Sequence, residues 1–169
     1  MQQEEWFPLV NESGETTGKA TRTVCHSGSK LLHPVVHLHL FNDAGELYLQ
    51  KRSMKKDIQP GKWDTAVGGH INLDESVDNA LRREAQEELG ITGFIPKFIL
   101  RYVYESIIEK ELVYTFYTVY RQPVTPDKNE LDGGRFWSIE EIETTLGSGV
   151  FTPNFENEFR YILLPYLKG

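Results

Sequence analysis

One segment constrains this chain more than any other: Gly69–Ile91, GHINLDESVDNALRREAQEELGI. Its apolar residues recur at helical spacing, so it predicts one helix that follows a glycine-rich loop. Asp74 is the expected N-cap, Glu75 the expected first-turn residue and Gly90 the expected stop, because short polar residues cap helices and glycine ends them. The segment therefore predicts a helix that is fixed at both ends and entered from a loop.

Three carboxylates share one side of this predicted helix. Glu84, Glu87 and Glu88 are spaced i, i+3 and i+4, which places them along one margin of an apolar stripe. Arg83 stands four residues before Glu87, where it could hold a carboxylate in place. Clustered carboxylates repel each other, and a bound divalent cation reverses the sign of that interaction. The stripe itself comprises Val77, Leu81, Ala85 and Leu89.

An ordinary solvated helix with mixed charges is the simpler interpretation of the same segment. The Gly68-Gly69 entrance, the capping pattern and the position of the glutamates beside the stripe argue against it. The pattern instead favours metal-assisted chemistry on a phosphate-bearing substrate.

Composition limits the classes of protein that fit. A length of 169 residues suits one domain with a real core, and a net charge of −7 argues against a nucleic-acid partner. With Cys25 alone no intrachain disulfide can form, which fits a reducing compartment. The acidic N-terminus does not resemble a signal peptide, and no stretch approaches the roughly 18 apolar residues of a membrane span. We therefore expect a cytoplasmic protein without a membrane partner, and a homodimer if the chain self-associates.

The rest of the chain predicts a mixed sheet covered by helices. Alternating aromatic and β-branched residues predict strands, polar residues with Pro60-Gly61 predict a loop, and two further helices follow Phe136-Trp137. This order of elements indicates an α/β or α+β fold. The expected strands are two within 5–22, then 35–41, 46–51, 63–69, 94–104 and 111–120; the loop is 54–62, and the helices are 139–145 and 154–166.

The central segment resembles a known family signature. Gly69, five residues, Glu75, seven residues and then Arg83–Ile91 resemble the Nudix box at every polar and glycine position, with Ala85 as a mild departure. The resemblance implies an α/β fold, the Nudix α/β/α sandwich with a mixed β-sheet. It implies one Nudix domain over 1–169, in which 1–30 is an N-terminal β-hairpin extension. The implied activity is hydrolysis of a nucleoside diphosphate linked to another group.

The resemblance also implies roles for individual residues. Glu87 and Glu88 would bind Mg²⁺ or Mn²⁺, and Glu84 would be either a further ligand or the base that activates water. The backbone carbonyl of Gly69 would join the metal site. Glu75 and Arg83 would brace the loop against the helix.

A second set of residues comprises His26, His33, His70, Glu109 and Glu111. It resembles the metal-binding set of a particular branch, the type I isopentenyl diphosphate isomerases. In that enzyme the matching three histidines and two glutamates hold a metal, so a second divalent metal is a hypothesis for this chain. The isomerase needs a cysteine directly before the Gly-His pair, where this chain has Gly68, and its Nudix box tends to be degraded, whereas this one is intact. Both departures favour a hydrolase on an isomerase-like scaffold, with isomerase activity as the alternative and binding without turnover ranked last.

Other polar residues have weaker signals. Arg52, Lys51 and Lys62 could bind substrate phosphates or be surface cations, and Arg52 is the best of them because it ends a predicted strand. His37 and His39 alternate on a strand, and we interpret both as structural. The expected ligand is thus a small-molecule diphosphate of unspecified identity.

Overall fold

A seven-stranded mixed sheet is the centre of the molecule. The computed structural model describes residues 3–56 and 58–169. The strands run in the order β5-β4-β3-β8-β7, with β6 paired to β3 and β9 paired to β4. Only the β3–β8 pairing within this sheet is parallel, so the sheet is mixed as predicted. These strands are β3 Leu32–Phe41, β4 Leu47–Arg52, β5 Trp63–Thr65, β6 Val67–His70, β7 Lys97–Glu105, β8 Lys110–Val119 and β9 Leu131–Trp137.

Helices cover both faces of this sheet. On one face, Leu81, Ala85 and Leu89 of α2 (Val77–Leu89) are buried against apolar residues of β3 such as Leu38. On the other face, α3 (Ile139–Thr145) and the C-terminal helical segments pack through Ile142 and a run of phenylalanines. Alternation along the strands supplies both cores. The predicted α/β/α sandwich is therefore confirmed. Among the described residues, no helix has the length and apolar character needed to cross a bilayer.

The N-terminal part forms a separate two-stranded sheet. β1 (Trp6–Val10) pairs antiparallel with β2 (Thr16–Thr21), and the short helix α1 (Arg22–Cys25) follows at once. Phe7, Ala20 and Cys25 are buried together in a small core of their own. The hairpin leads the chain to His26, which is the C-cap of α1.

Helix α2 begins two residues later than the sequence predicted. Ser76 is the N-cap, and its hydroxyl accepts a hydrogen bond from the Asn79 backbone amide at 3.1 Å. Asp74 instead adopts a left-handed conformation with φ of 63°, and Glu75 lies before the helix rather than in its first turn. Serine and aspartate are about equally good N-cap residues, so residue type alone did not decide between Ser76 and Asp74. Gly90 ends the helix with φ of 64°, as expected.

Three other elements differ from the prediction. Residues 63–69 form two short strands, β5 and β6, rather than one. The last helix consists of α4 (Pro153–Glu158), a π-helical turn (Phe159–Leu163) and α5 (Leu164–Lys168). Strand β9 was not predicted because Gly133-Gly134 is a weak strand sequence. A side chain at Gly134 would collide with the Tyr48 hydroxyl, so glycine is needed for β9 to pair with β4.

Candidate active site

A polar cavity of about 570 Å³ opens beside β6 and the start of α2. The side chains that line it include the glutamates of α2, His70 with Glu109 and Glu111, and several cations. Its walls come from β3, β4, β6, α2, the β7–β8 hairpin and the N-terminus of α4. The cavity therefore collects residues that are far apart in the sequence.

The helix carboxylates line this cavity together. Burial raises the pKa of Glu88 well above its usual range, and the charge of Glu84 adds to the effect. Burial likewise raises the pKa of Glu84, although Arg83 opposes the rise. Glu87 is more open, with its side chain 60% exposed. Sheltered carboxylates that disfavour their own ionisation gain most from a cation, so this donor set fits a hard divalent metal.

Gly69 lets the backbone of β6 approach these carboxylates closely. A Cβ atom at this position would collide with the carboxyl group of Glu84. The glycine therefore brings a backbone segment against a carboxylate, and both line the same cavity. This close approach requires a residue without a side chain.

Arg83 ties the loop to the helix. Its Nε and Nη2 donate to the two carboxylate oxygens of Glu75 at 2.8 and 2.9 Å, and Nη2 also donates to the His70 carbonyl at 3.0 Å. Its Nη1 donates to Glu84 at 2.7 Å and to Glu87 at 3.3 Å. The hydrogen bonds that Arg83 donates to Glu75 hold the pKa of Glu75 below its usual range. The same hydrogen bonds raise the pKa of Arg83. One guanidinium thus fixes the positions of three carboxylates.

Gln50 is a site residue that sequence reasoning missed. Its amide donates to Glu88 at 3.1 Å, and the Gly68 backbone amide approaches the same oxygen at 3.4 Å. Gln50 also donates to the Thr65 carbonyl at 3.0 Å. A glutamine directly after the apolar run Leu47–Leu49 of β4 was the available signal.

The second predicted set also comes together. Ligand atoms of His26, His33, His70 and Glu109 all lie within 4.8 Å of one another. Glu109 Oε2 is 2.9 Å from His26 Nε2 and 3.6 Å from His33 Nε2, while His26 Nε2 is 3.1 Å from His70 Nε2. Glu111 pairs with His33 in the β3–β8 register and lines the same cavity, but it is not in that four-residue group.

The electrostatics of His70 and Glu109 suit metal ligands, whereas at His33 burial is outweighed by hydrogen bonds with Glu109 and the Leu31 carbonyl, which raise its pKa. Burial lowers the pKa of His70 to about 3, and the charges of Arg22, His26 and His33 contribute. Burial opposes ionisation of Glu109, but hydrogen bonds from His26 and His33 outweigh it and lower its pKa. A neutral imidazole beside an ionised carboxylate is the state in which both bind metal. Burial and the charge of Glu109 raise the pKa of Glu111 to about 7.

Phe7 is a further residue that the sequence did not single out. Its ring stacks on His70 with centroids 4.4 Å apart and planes inclined by 1°. It also stacks on His33 with centroids 5.8 Å apart. The N-terminal hairpin therefore fixes the orientation of two imidazoles as well as delivering His26.

The predicted phosphate-binding cations divide into two groups. Arg52 lines the cavity, where it donates to the Ile58 carbonyl and lies 3.7 Å from Asp64. Lys51 and Lys62 are not among the described residues that line it. Lys51 lies between Gln50 and Arg52 on β4, and because successive side chains of a strand point to opposite faces, it points away from the cavity that both neighbours line. Arg22 and Lys56, which the sequence did not single out, do line the cavity.

His37 and His39 bind a carboxylate from the C-terminal helix. His37 Nδ1 lies 2.6 Å from one carboxylate oxygen of Glu158, and His39 Nε2 lies 2.8 Å from the other. Glu158 is 1% exposed. His39 is fully buried, as expected for a structural residue. His37 additionally lines the cavity.

Comparison with known proteins agrees with this architecture. The NUDIX domain family matches residues 31–155. The uncharacterized Nudix hydrolase lmo0368 of Listeria monocytogenes is 38% identical over 162 residues, which cover 90% of each chain. Isopentenyl-diphosphate Delta-isomerase 1 of Photorhabdus laumondii is 29% identical, covering 92% of this chain and 93% of that protein.

Solved structures show the same fold. DR0079 from Deinococcus radiodurans superimposes with a TM-score of 0.80 at 24% identity, covering 92% of this chain and 98% of that one. The MutT protein from Methanosarcina mazei superimposes with a TM-score of 0.64 at 27% identity, covering 76% of this chain and 91% of that one. The chain therefore belongs to the Nudix family of pyrophosphohydrolases.

Proposed function

We propose that this protein is a metal-dependent hydrolase that cleaves the diphosphate bond of a nucleoside diphosphate derivative or a related organic diphosphate. One observation carries the proposal: Glu84 and Glu88 converge with Gly69 on one cavity wall, where burial raises the pKa of both carboxyl groups. Burial of these carboxylates is unfavourable when no cation compensates their charge. A divalent cation with its phosphate ligand compensates for their burial.

In this proposal Glu87, Glu88 and the Gly69 carbonyl hold Mg²⁺ or Mn²⁺, and Glu84 is either a further ligand or the base that activates water. When bound, such an ion neutralises phosphate charge, polarises the phosphorus and acidifies water. Arg83 and Glu75 keep the loop and helix in register through their paired hydrogen bonds. Arg52, Arg22 and Lys56 supply the positive charge that the cavity otherwise lacks.

The chemical step needs one base. A water oxygen attacks phosphorus, the bridging P–O bond breaks, and its electron pair leaves with the second phosphate. The proton of the water passes to a carboxylate, for which Glu84 is the candidate because its raised pKa brings proton affinity closer to neutrality. The products are two phosphate compounds, one of which carries the added hydroxyl.

A substrate panel with magnesium tests this proposal. Nucleoside diphosphates, nucleotide sugars and isoprenoid diphosphates are incubated with wild type, Glu88→Gln and the control Glu140→Gln, whose residue is exposed on α3. Loss of a metal ligand lowers kcat/KM by roughly 10² or more, since even outer-shell partners of metal ligands contribute 10–100-fold. The control retains wild-type activity. Absence of the two expected phosphate products from every compound, or equal activity of Glu88→Gln and wild type, would refute the proposal.

Isopentenyl diphosphate isomerisation is a second candidate function. The convergence of His26, His33, His70 and Glu109 beside Glu111 favours it, as does the similarity to a protein named as that isomerase. Gly68 disfavours it, because glycine offers no side chain to give or take a proton. Conversion of isopentenyl diphosphate to its isomer by the purified protein would decide for this function.

The histidine–glutamate group is proposed as a second divalent metal site in either case. His26, His33, His70 and Glu109 would be its ligands, with Glu111 close by. Imidazole and carboxylate donors suit Zn²⁺ and Mn²⁺ among other ions.

A further inference from the structure

Glu158 is a buried carboxylate that the proposed hydrolysis does not use. It is 1% exposed and accepts hydrogen bonds from three side chains on the sheet. His37 Nδ1 is 2.6 Å away, His39 Nε2 is 2.8 Å away and the Tyr102 hydroxyl is 2.5 Å away. It is the last residue of α4, directly before the π-helical turn. A π-helical turn within an α-helix often accompanies a functional site.

Only one of the two histidines bound to Glu158 reaches the cavity. His39 is fully buried, whereas His37 lines the cavity with 14% of its side chain exposed. The Nδ1 of His37 is engaged by Glu158, which leaves Nε2 as its second polar atom. A Cβ at Gly68 would lie 3.5 Å from His37 Cδ2 and 3.8 Å from Nε2. The absent side chain of Gly68 therefore leaves this edge of the ring uncovered beside the carboxylate site.

The charges around His37 favour its cationic form. Burial opposes protonation, but the charge and hydrogen bond of Glu158 outweigh it and raise the pKa of His37 to about 9. The charges of Glu111 and Asp64 act in the same direction. His39 and Tyr102 face the same carboxylate. With Nδ1 donating to Glu158, the cationic ring presents Nε2–H as a donor.

We propose that His37 is a substrate-contacting residue whose Nε2–H donates to a phosphoryl oxygen, and that Glu158 is the residue that positions its ring. The inference rests on the proposed function only in taking a diphosphate as the ligand. It adds to the cations of the cavity a donor from β3, which is held by Glu158, a residue beyond the matched region 31–155. A hydrogen bond between charged groups is strong enough to affect affinity about tenfold or more.

Binding of a non-hydrolysable ligand tests this inference apart from catalysis. Imidodiphosphate with Mg²⁺ is titrated calorimetrically into wild type, His37→Gln and His39→Gln. The matched control removes a histidine from the same strand and the same carboxylate, but one that does not line the cavity. We expect about tenfold weaker binding for His37→Gln and a change within twofold for His39→Gln. Equal binding by His37→Gln and wild type, equal weakening by both variants, or no binding by wild type overturns the inference.

Glu158→Gln tests the positioning role. Its ¹⁵N spectrum should show His37 losing the cationic form at neutral pH, with binding weakened in parallel. An unchanged His37 imidazole signal in this variant refutes positioning by Glu158. Failure of wild type to hydrolyse any diphosphate, with imidodiphosphate binding intact and sensitive to His37→Gln, would refute the hydrolase proposal alone.

Discussion

At the scale of single residues, Gly69 has little tolerance for change. Its Cα faces the Glu84 carboxyl group so closely that any side chain would displace it. We predict that Gly69→Ala lowers kcat/KM by on the order of 10-fold to 10²-fold, since positioning errors near 1 Å have such effects. The added methyl group should also destabilise the fold by about 1–3 kcal/mol.

Gly18→Ala is the matched control for this prediction. Gly18 lies on β2, and the nearest atom to an added Cβ is a Leu9 methyl carbon at 3.9 Å, which is ordinary contact. Steady-state kinetics and chemical denaturation of both variants provide the measurements. Full activity in Gly69→Ala would mean that Glu84 does not need its present place.

Residue-level prediction succeeded where a local rule determined the geometry. The placement of Glu84 and Glu88 on one side of a helix follows from 3.6 residues per turn, so spacing sufficed. The pairing of Arg83 with Glu75 was implied by the resemblance and is seen in the hydrogen bonds. The contact between His37 and Glu158 spans 121 residues, and no local pattern specifies such a contact.

At the scale of elements, the C-terminal helix is attached to the sheet by groups that titrate. Hydrogen bonds and charges from His37 and His39 hold the pKa of Glu158 well below its usual value of 4.5, although burial opposes this. Its stabilisation is therefore present above pH 4.5 and lost as the pH falls. The pKa of His37 is raised from 6.5 to about 9, so its stabilisation is complete below pH 6.5 and is lost as the pH rises through about 9.

We predict that this attachment is strongest between these two limits, from about pH 4.5 to 6.5. The measurement is the free energy of unfolding of wild type minus that of Glu158→Gln, followed from pH 3 to 10. The difference should be largest inside the window and smaller on both sides. A difference that does not vary with pH would show that the carboxylate and imidazole do not titrate as a pair.

Element prediction from sequence was accurate for regular strands and less so for ends and irregular segments. Strands β7 and β8 were expected because both are rich in aromatic and β-branched residues, and they pair antiparallel in the structure. The start of α2 was displaced because Asp74 and Ser76 are both good caps. The π-helical turn Phe159–Leu163 had no predictor, because its sequence continues an ordinary amphipathic helix.

At the scale of the whole molecule, the histidine–glutamate group depends on four separate segments. His26 follows α1, His33 begins β3, His70 ends β6, and Glu109 lies in the β7–β8 turn. A metal ion bound there would link these segments in the folded state only. We predict that Zn²⁺ at about 100 times its dissociation constant raises Tm by roughly 5–10 °C.

Differential scanning calorimetry with and without Zn²⁺ measures this shift. His26→Gln should remove most of it, because one of four ligands and the contribution of the N-terminal hairpin are lost. His39→Gln, a histidine outside the group, should retain it even though its own Tm is lower. Equal Zn²⁺ shifts in wild type and His26→Gln would argue against this metal site.

The large-scale arrangement was predictable in outline and the ligand was not. The family resemblance implied the α/β/α sandwich. It also named the glutamates of α2 and the residues of the histidine–glutamate group. The cations of the cavity were predicted only in part, because Arg22 and Lys56 reach it from the end of a hairpin and from a loop. Loops vary freely on a shared fold, so the group attached to the diphosphate is not specified by the box.

The matched family region spans 31–155, and residues on both sides of it contact side chains that line the cavity. His26 comes from before this region, and Glu158, which holds His37, comes from after it. A relative that kept the carboxylate helix but exchanged either flank would keep its bond-breaking apparatus and alter the walls around it. Changes in the two flanks would therefore alter which ligand the cavity accepts, while the carboxylate helix that acts on the diphosphate stays the same.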